Sequence, residues 1–128
     1  MTDRRPVQTA AAPAAIGSYS QAIVAAGLVH CSGQVALDPL SGELQGSTAA
    51  EQARVALANL SAVLQAAGSG MDRVLKCNVY LTDLEDFGAV NEVYARAFEG
   101  EIPPARACVE VSRLPKDAKV EIDCVARV

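Results

Sequence analysis

The sequence has few of the residues on which metal sites and catalytic triads depend. Its 128 residues include a single histidine, His30, and no tryptophan. The four cysteines, Cys31, Cys77, Cys108 and Cys124, lie far apart without a CxxC pair, so no zinc-ligand spacing is present. One histidine also gives little basis for a Ser-His-Asp set. Each cysteine falls in an apolar, strand-like run, which predicts buried, reduced thiols.

A basic excess and a long hydrophobic run are also missing. The formal net charge is −4, which argues against a nucleic-acid binder, because phosphates are normally neutralised by a basic surface. No apolar stretch approaches the roughly 20 residues that a membrane-spanning helix needs. The alanine-rich N-terminus is broken by Pro13 and makes a poor signal peptide. We therefore expect a soluble, cytoplasmic protein with no membrane partner.

The length predicts one domain, residues 1–128, with an N-terminal segment, 1–16, that is partly extended. The most strongly patterned element is a helix. Thr48 and Glu51 have the spacing of a capping box, and Gly68 is placed to end the helix. Its predicted inward stripe consists of Ala53, Ala56, Leu57, Leu60, Val63, Leu64 and Ala67.

Five strands and a second helix surround this element in the sequence. Residues 21–26 and 28–37 read as a hairpin, in which Gly27 is free to take a positive φ. A second helix follows Asp83, its predicted N-cap. Its inward stripe would be Phe87, Val90, Tyr94, Ala97 and Phe98, and the remaining strands would be 74–81, 105–112 and 119–127.

The resulting order, β-β-α-β-α-β-β, predicts an α+β fold with one mixed sheet and two helices on one face. The other face would then be uncovered. Strands 74–81 and 119–127 read as apolar on both sides of their alternation, which favours a homo-oligomer with facing sheets. A monomer with one moderately apolar face is the alternative.

One arginine stands out in the segment IPPARACVEV, residues 102–111. Alternation along this strand puts Arg106, Cys108 and Glu110 on one side. Arg106 is either a solvated strand end or a receptor for a carboxylate, whose shape the planar guanidinium fits. The spacing alone does not decide between these two interpretations.

Four blocks of the sequence together resemble the Rid family, also called YjgF. The last block is the most specific, because PAR, CVEV, RLPKDA and VEID follow in order. The blocks are APAAIGSYSQA (12–22), CSGQVALDPLSGEL (31–44), VLKCNVYLTDLEDFGAVNEVYARAF (74–98) and IPPARACVEVSRLPKDAKVEIDCVA (102–126).

The resemblance implies a fold like that of trimeric chorismate mutase. Three subunits would join their sheets in an inner barrel, with active sites in the clefts between neighbours. Members of the deaminase branch hydrolyse 2-imino or 2-enamino acids to 2-keto acids and ammonia, without a cofactor or metal. Ribonuclease and chaperone activities have also been proposed in this family, but the acidic balance of this chain argues against RNA.

The resemblance also assigns roles to individual residues. Arg106 would hold the substrate carboxylate, and Glu121 would position water as the general base. Two departures from the family pattern are Ser18, where proline is frequent, and Ala107, where serine is common; neither removes a group that the reaction needs. The other residues that would bind substrate or line the pocket are Tyr19, Ser32, Gly33, Gln34, Asn91 and Cys108.

Two interpretations of function remain open at this point. The first is a cofactor-free imine deaminase. The second is a regulatory trimer that binds 2-keto acids or related metabolites without turnover. Arg106 suits both, whereas Glu121 favours hydrolysis, because a pure binder needs no carboxylate to position water. Glu121 has its own alternative, a surface carboxylate at the edge of the last strand.

Overall fold

A computed structural model of the chain describes residues 3–100 and 102–128. Residues 1 and 2, at the start of the segment expected to be partly extended, and residue 101 lie outside the described residues. The elements are β1 Arg5–Val7, β2 Ala22–Ala25, β3 Leu28–Gln34, α1 Ala49–Ala66, β4 Val74–Leu81, α2 Phe87–Ala97, β5 Ala105–Glu110 and β6 Val120–Arg127.

The strands form one mixed sheet in the order β1-β2-β3-β6-β4-β5. Only β4 and β5 pair in parallel, and the two helices lie on one face, so the predicted α+β class is confirmed. The prediction of five strands was wrong by one, since β1 pairs with β2 and buries Val7. This strand is too short to show alternation in the sequence, and it contains Pro6, which a sheet tolerates at an edge.

The first helix agrees with its prediction in detail. The Thr48 side chain accepts from the Glu51 backbone N–H, and the Glu51 carboxylate accepts from the Thr48 N–H, which completes the capping box. All seven residues of the predicted stripe are buried. Gly68 follows the helix with φ +86°, a conformation that favours glycine. Gly27 likewise has φ +78° in the β2–β3 turn.

The start of the second helix differs from the prediction. Asp83 caps a short 3₁₀ turn over Leu84–Asp86 through the Glu85 N–H (2.9 Å), and α2 begins only at Phe87. Phe87 is 36% exposed and does not pack into the core, whereas Val90 and Tyr94 are buried. The physical reason is that the Phe87 ring lies against Arg106 on the edge strand β5 rather than over the core.

The core fills the space between the helices and one face of the sheet. Ile122 and Cys124 of β6 and Cys77 and Leu81 of β4 point into it. Cys31 is buried there too, and Cys108 is half-buried, so the expected burial is confirmed for three of the four cysteines. Neither helix in the described part of the chain is long and apolar enough to cross a membrane.

The open face of the sheet is more polar than the sequence pattern indicated. Its centre holds Asp123, which accepts from Asn78 Nδ2 (3.0 Å) and the Tyr80 hydroxyl (3.2 Å). The expected apolar residue on this side is Val125, but polar and charged side chains make up most of the open face of β4 and β6. In the sequence, short apolar stretches gave both faces of these strands an apolar appearance. In the structure, Lys76, Asn78 and Tyr80 of β4 lie on the open face, each opposite an open-face residue of β6.

Candidate functional site

Arg106 lies on the edge strand β5, next to β4, and faces the helices. Its register partner is Cys77, a core residue, which fixes the side of the sheet. The guanidinium Nη1 donates to Asn91 Oδ1 at 2.7 Å, and the guanidinium carbon lies 4.8 Å from the Tyr94 ring centroid and 5.3 Å from that of Phe87. The arginine is thus exposed yet held against α2, and most of its five N–H donors remain available.

Cys108 follows Arg106 on the same side of β5 and packs against the edge of the core. Burial raises the pKa of its thiol, and the nearby Arg106 opposes that effect only in part. A thiol with a raised pKa is protonated at neutral pH and is a poor nucleophile. Cys108 is therefore suited to a wall position rather than to covalent chemistry.

A second cluster surrounds a cavity of about 530 Å³ near the start of β6. Four predicted site residues line it: Tyr19, Ser32, Gly33 and Glu121. Gln34, also expected near the ligand, is buried beside them and ends β3. The other lining residues are Ile16, Val35, Leu37, Pro115 and Lys116.

The Glu121 carboxylate lies directly against Gly33, which has no side chain. A Cβ placed on Gly33 would overlap the Glu121 carboxylate oxygen and lie 2.8 Å from its Cδ. A side chain at position 33 would push the flexible Glu121 carboxylate aside, so this placement of the carboxylate against the backbone depends on Gly33. The β3–β6 register also shifts between Cys31 and Gln34, so Gly33 lies in an irregular stretch of the ladder. Because β6 lies between β3 and β4, Glu121 stands near the start of a central strand of the sheet.

The carboxyl group of Glu121 is half-buried, and its pKa is raised. Burial is the main cause, because it disfavours the charged form, and the negative charge of Asp123 adds to it. The two residues share the open face of β6. A carboxylate with a raised pKa in a cavity is a better proton acceptor than an ordinary surface glutamate.

Tyr19 and Ser32 are held by backbone contacts on the same side of this cavity. The Tyr19 hydroxyl accepts from the Ile16 N–H (3.2 Å), and the Ser32 hydroxyl donates to the Ser20 carbonyl (2.6 Å). The Tyr19 side chain is 53% exposed and also borders a neighbouring cavity. Tyr19 therefore lines a cavity rather than packing as an aromatic in the core.

Sequence reasoning missed the residue that organises the Tyr19 loop. Gln21 is buried, its Oε1 accepts from the Thr9 N–H (2.7 Å), and its Nε2 donates to the Pro13 carbonyl (2.8 Å). This side chain ties the N-terminal segment to β2. The signal available in the sequence was a lone glutamine at the start of an apolar strand, which has no distinctive pattern.

Lys116 was also missed, and its backbone conformation is unusual. Lys116 and Asp117 have φ values of +61° and +55°, the left-handed region that residues with a Cβ rarely adopt. The loop that contains them borders the cavity beside Glu121. Strained backbone of this kind concentrates at functional sites, which is why this loop belongs to the description of the site.

The sheet separates the two clusters within one chain. Arg106 pairs with Cys77, whereas Glu121 pairs with Tyr80, three residues further along β4 and therefore on the opposite face. The structure brings Tyr19, Ser32, Gly33 and Glu121 together. It brings Arg106 and Asn91 together elsewhere, with Cys108 beside them. Within one chain, the Arg106 cluster and the Glu121 cluster therefore lie on opposite faces of the sheet.

The described residues contain no group of three or more His, Cys, Asp and Glu side chains placed to hold a metal ion. His30, the one histidine, is exposed on the open face, opposite Val125. The two clusters themselves supply a guanidinium, a carboxylate with a raised pKa and hydrogen-bonding groups around a cavity.

Comparison with known proteins places these features in a family. The model of a family described as endoribonuclease L-PSP matches residues 9–128. The RutC family protein slr0709 of Synechocystis is 53% identical over 94% of this chain and 93% of its own. The rat 2-iminobutanoate/2-iminopropanoate deaminase is 46% identical over 96% of this chain and 89% of its own.

Solved structures agree with the sequence relatives. The crystal structure of YyfA from Yersinia pestis, described as a protein of unknown function of the conserved Rid family, has a TM-score of 0.95 to this chain. It is 42% identical in sequence, and the match covers 98% of this chain and 99% of the other. The similarity therefore extends over the whole described fold.

Proposed function

The chain belongs to the Rid (YjgF) family, and from this premise we propose that it is a cofactor-free deaminase of 2-imino and 2-enamino acids. The reaction releases a 2-keto acid and ammonia. The observation that carries the proposal is the pair of half-sites, one with a held guanidinium and one with a proton-accepting carboxylate, in a chain 46% identical to a named imine deaminase.

Arg106 would bind the substrate carboxylate. Its guanidinium can form two parallel hydrogen bonds to a carboxylate, which fixes the orientation of the neighbouring imine carbon. The Asn91 amide oxygen takes only one N–H of Nη1, so a complete edge of the fork is left for the substrate. Asn91 and Cys108 would form the wall of this half-site.

Glu121 would act on the water. As a carboxylate it accepts a proton while the water oxygen adds to the protonated imine carbon. The resulting carbinolamine then expels ammonia, with the proton returned to the leaving nitrogen, and the C=O bond of the keto acid replaces the C=N bond. Tyr19, Ser32 and the Gly33 backbone would surround the reacting group in the same cavity.

The two half-sites would meet between copies of the chain. Arg106 is on the edge strand β5, where a second copy can approach, while the Glu121 cavity opens on the opposite face of the sheet, beside the central strands β3 and β6. We propose a homotrimer in which each cleft takes Arg106 from one copy and Glu121 from its neighbour. The family resemblance supports three copies arranged around an inner barrel.

The remaining parts of the proposal concern setting and partners. Pyridoxal-phosphate dehydratases release imines of this class, and we expect the chain to act beside them in the cytoplasm as a single domain. The net charge of −4 offers no general attraction for RNA. Nothing in the described geometry favours a purely regulatory role over hydrolysis, because a binder would gain nothing from Glu121.

The direct test couples purified protein to a threonine dehydratase and follows 2-oxobutanoate, with semicarbazide trapping the imine that escapes. We expect the purified chain to accelerate keto-acid release and to suppress semicarbazone formation. A chain that binds 2-oxobutanoate but does not accelerate its release would support the regulatory alternative. A chain that neither binds 2-oxobutanoate nor accelerates its release would overturn both the deaminase proposal and the regulatory alternative.

The pH dependence of the reaction should report on Glu121. Because its pKa is raised above the usual glutamate value, we expect kcat/KM to fall on the acidic side at a higher pH than an ordinary glutamate would give. The same shift means that the folded chain binds this proton more tightly than the unfolded chain. At neutral pH the ionised Glu121 therefore lowers the free energy of unfolding, and this loss is relieved as pH falls through the raised pKa.

The matched variant for this prediction is Asp123→Asn, which keeps the side-chain size and removes the neighbouring charge. We expect its acidic limb to move to lower pH, since Asp123 helps to raise the pKa of Glu121. The measurement is a kcat/KM profile for both proteins, with the dehydratase held in excess. An unchanged limb in Asp123→Asn would contradict the assignment of Glu121 as the base.

A further inference from the structure

Helix α2 presents three side chains to Arg106 from a single face. Phe87, Asn91 and Tyr94 are spaced four and three residues apart, which aligns them along one side of the helix. Their contacts differ in kind: two ring faces at 5.3 and 4.8 Å from the guanidinium carbon, and one amide oxygen at 2.7 Å from Nη1. The guanidinium is therefore contacted by aromatic faces and by a hydrogen-bond acceptor.

None of these three groups neutralises the arginine. Among the described residues, no carboxylate lies within 4 Å of the Arg106 guanidinium. The ion pair found among them joins Arg113 to Asp117 and does not involve Arg106. Aromatic rings attract a cation through their quadrupole, and an amide oxygen accepts one hydrogen bond, so both hold the group while its full charge stays available. A carboxylate in their place would compete with an anionic substrate.

Tyr94 is itself rigidly placed. Its side chain is buried, and its ring lies 4.7 Å from the ring of Phe98, the residue that follows the end of α2. Its hydroxyl lies in the core with no oxygen or nitrogen hydrogen-bond partner, next to the Cys77 thiol, and burial raises its pKa. The hydroxyl is therefore protonated at neutral pH, and the part of Tyr94 that serves Arg106 is the ring face.

We propose that Phe87, Asn91 and Tyr94 are positioning residues that hold the Arg106 guanidinium at a fixed angle with one donor edge free for a carboxylate. This inference rests on the proposed function for its consequence in catalysis, but the arrangement itself is a property of the free protein. It also gives Asn91 a different role from the substrate contact that the family resemblance implied.

The expected result for Phe87→Leu is a weaker hold on the carboxylate. Phe87 is partly exposed, so leucine should leave the fold intact while removing one ring face. We expect the dissociation constant for 2-oxobutanoate and the KM for the imine to rise about threefold, the range of one exposed cation–π contact, with little change in kcat. Leu40→Ala, which truncates an exposed apolar side chain in the turn after β3, is the control; Phe98 is unsuitable because its ring packs on Tyr94.

Asn91→Asp tests the requirement for a neutral acceptor. The new carboxylate would keep the hydrogen bond to Nη1 but pair with the charge, so we expect 2-oxobutanoate to bind at least about tenfold more weakly. If Asn91 contacted only the substrate, Asn91→Asp would leave the orientation of Arg106 unchanged. The NMR signal of the Arg106 side chain would then be unaffected. Unchanged affinity in Asn91→Asp would overturn the proposal.

The readout independent of activity is the Arg106 Nε–Hε signal in an NMR spectrum. Ring currents from Phe87 and Tyr94 should displace this signal from the random-coil position, and Phe87→Leu should move it back, while Leu40→Ala should not. A double variant adds a second check: in an Arg106→Ala background, Phe87→Leu should have no further effect on 2-oxobutanoate affinity.

These arms separate the two proposals. If the chain fails to hydrolyse imines but Phe87→Leu still moves the Arg106 signal and weakens 2-oxobutanoate binding, the positioning role holds and the proposed function fails. If hydrolysis is fast but the Arg106 signal is insensitive to Phe87→Leu, the positioning role is wrong and the proposed function is unaffected. If Phe87→Leu weakened 2-oxobutanoate binding equally with and without Arg106, the positioning role would also be overturned.

Discussion

Arg106→Lys is expected to lower kcat/KM for the imine by about two orders of magnitude, although the side chain keeps its charge. Lysine offers a point charge on a flexible stem, whereas the guanidinium offers a planar fork that fixes both oxygens of a carboxylate. Losing one charge-assisted hydrogen bond costs about 1.5–3 kcal/mol, which corresponds to roughly ten- to hundredfold in rate, and loss of orientation adds to it.

Lysine also loses the contacts that hold the arginine in place. The single hydrogen bond from Nη1 to Asn91 and the stacking on Phe87 and Tyr94 depend on a flat, delocalised group. The measurement is kcat and KM in the coupled dehydratase assay, with Arg54→Lys on the exposed side of α1 as the control for the same exchange elsewhere. Equal activity of Arg106→Lys and the parent chain would remove the carboxylate anchor from the mechanism.

The elements that the sequence predicted well are those that local physics decides. The capping box of α1 depends on two residues three apart, and its inward stripe depends on helical spacing alone. Strand β4 has the predicted bounds 74–81, because a run of β-branched and apolar residues between turns leaves little choice. The alternation along β5 likewise put Arg106 and Cys108 on one side correctly.

The features that sequence reasoning could not give depend on register between distant strands. Alternation assigns each residue of a strand to one of two faces, but it does not relate the faces of different strands. The pairing of Arg106 with Cys77 and of Glu121 with Tyr80 shows that the two side chains lie on opposite faces of the sheet. A shift of one residue in either ladder would reverse that result. The same holds for the irregular pairing at Gly33, which gives Glu121 its space.

The aromatic residues of α2 show a further limit. Helical spacing selected Phe87 and Tyr94 together as inward-facing, and both do lie on the sheet side of the helix. The difference is what each ring meets there. Tyr94 reaches the core beside Cys77, whereas Phe87 lies over the edge strand, where Arg106 takes the place of a core residue. Periodicity identifies the face of a helix but not its neighbour.

The opposite placement of the two half-sites leads to the second large effect, recovery of activity from two inactive chains. We expect Arg106→Ala and Glu121→Gln each to reduce kcat/KM about a hundredfold or more, since one loses the anchor and the other the base. If each cleft takes Arg106 from one copy and Glu121 from the next, an assembly that contains both variants must include a cleft with both native residues.

The size of the recovery follows from the symmetry. In a cyclic trimer with two copies of one variant and one of the other, a single junction joins the native Arg106 to the native Glu121, so about a third of the parent activity should return. A cyclic dimer would return about half by the same argument. Co-expression with two different affinity tags, followed by purification on both, isolates the mixed assemblies.

The control replaces one partner with a chain that carries both substitutions. Co-assembled with Arg106→Ala, this double variant offers no native Arg106 in any cleft, so the recovery should disappear while the amount of doubly tagged protein stays the same. Failure of the two single variants to restore activity in a doubly tagged assembly would mean that Arg106 and Glu121 do not act in a shared cleft. Absence of any doubly tagged assembly would mean that the chains do not associate. Since the sheet of one chain keeps the guanidinium and the carboxylate on opposite faces, either result would leave this chain without a way to bring both groups to one substrate.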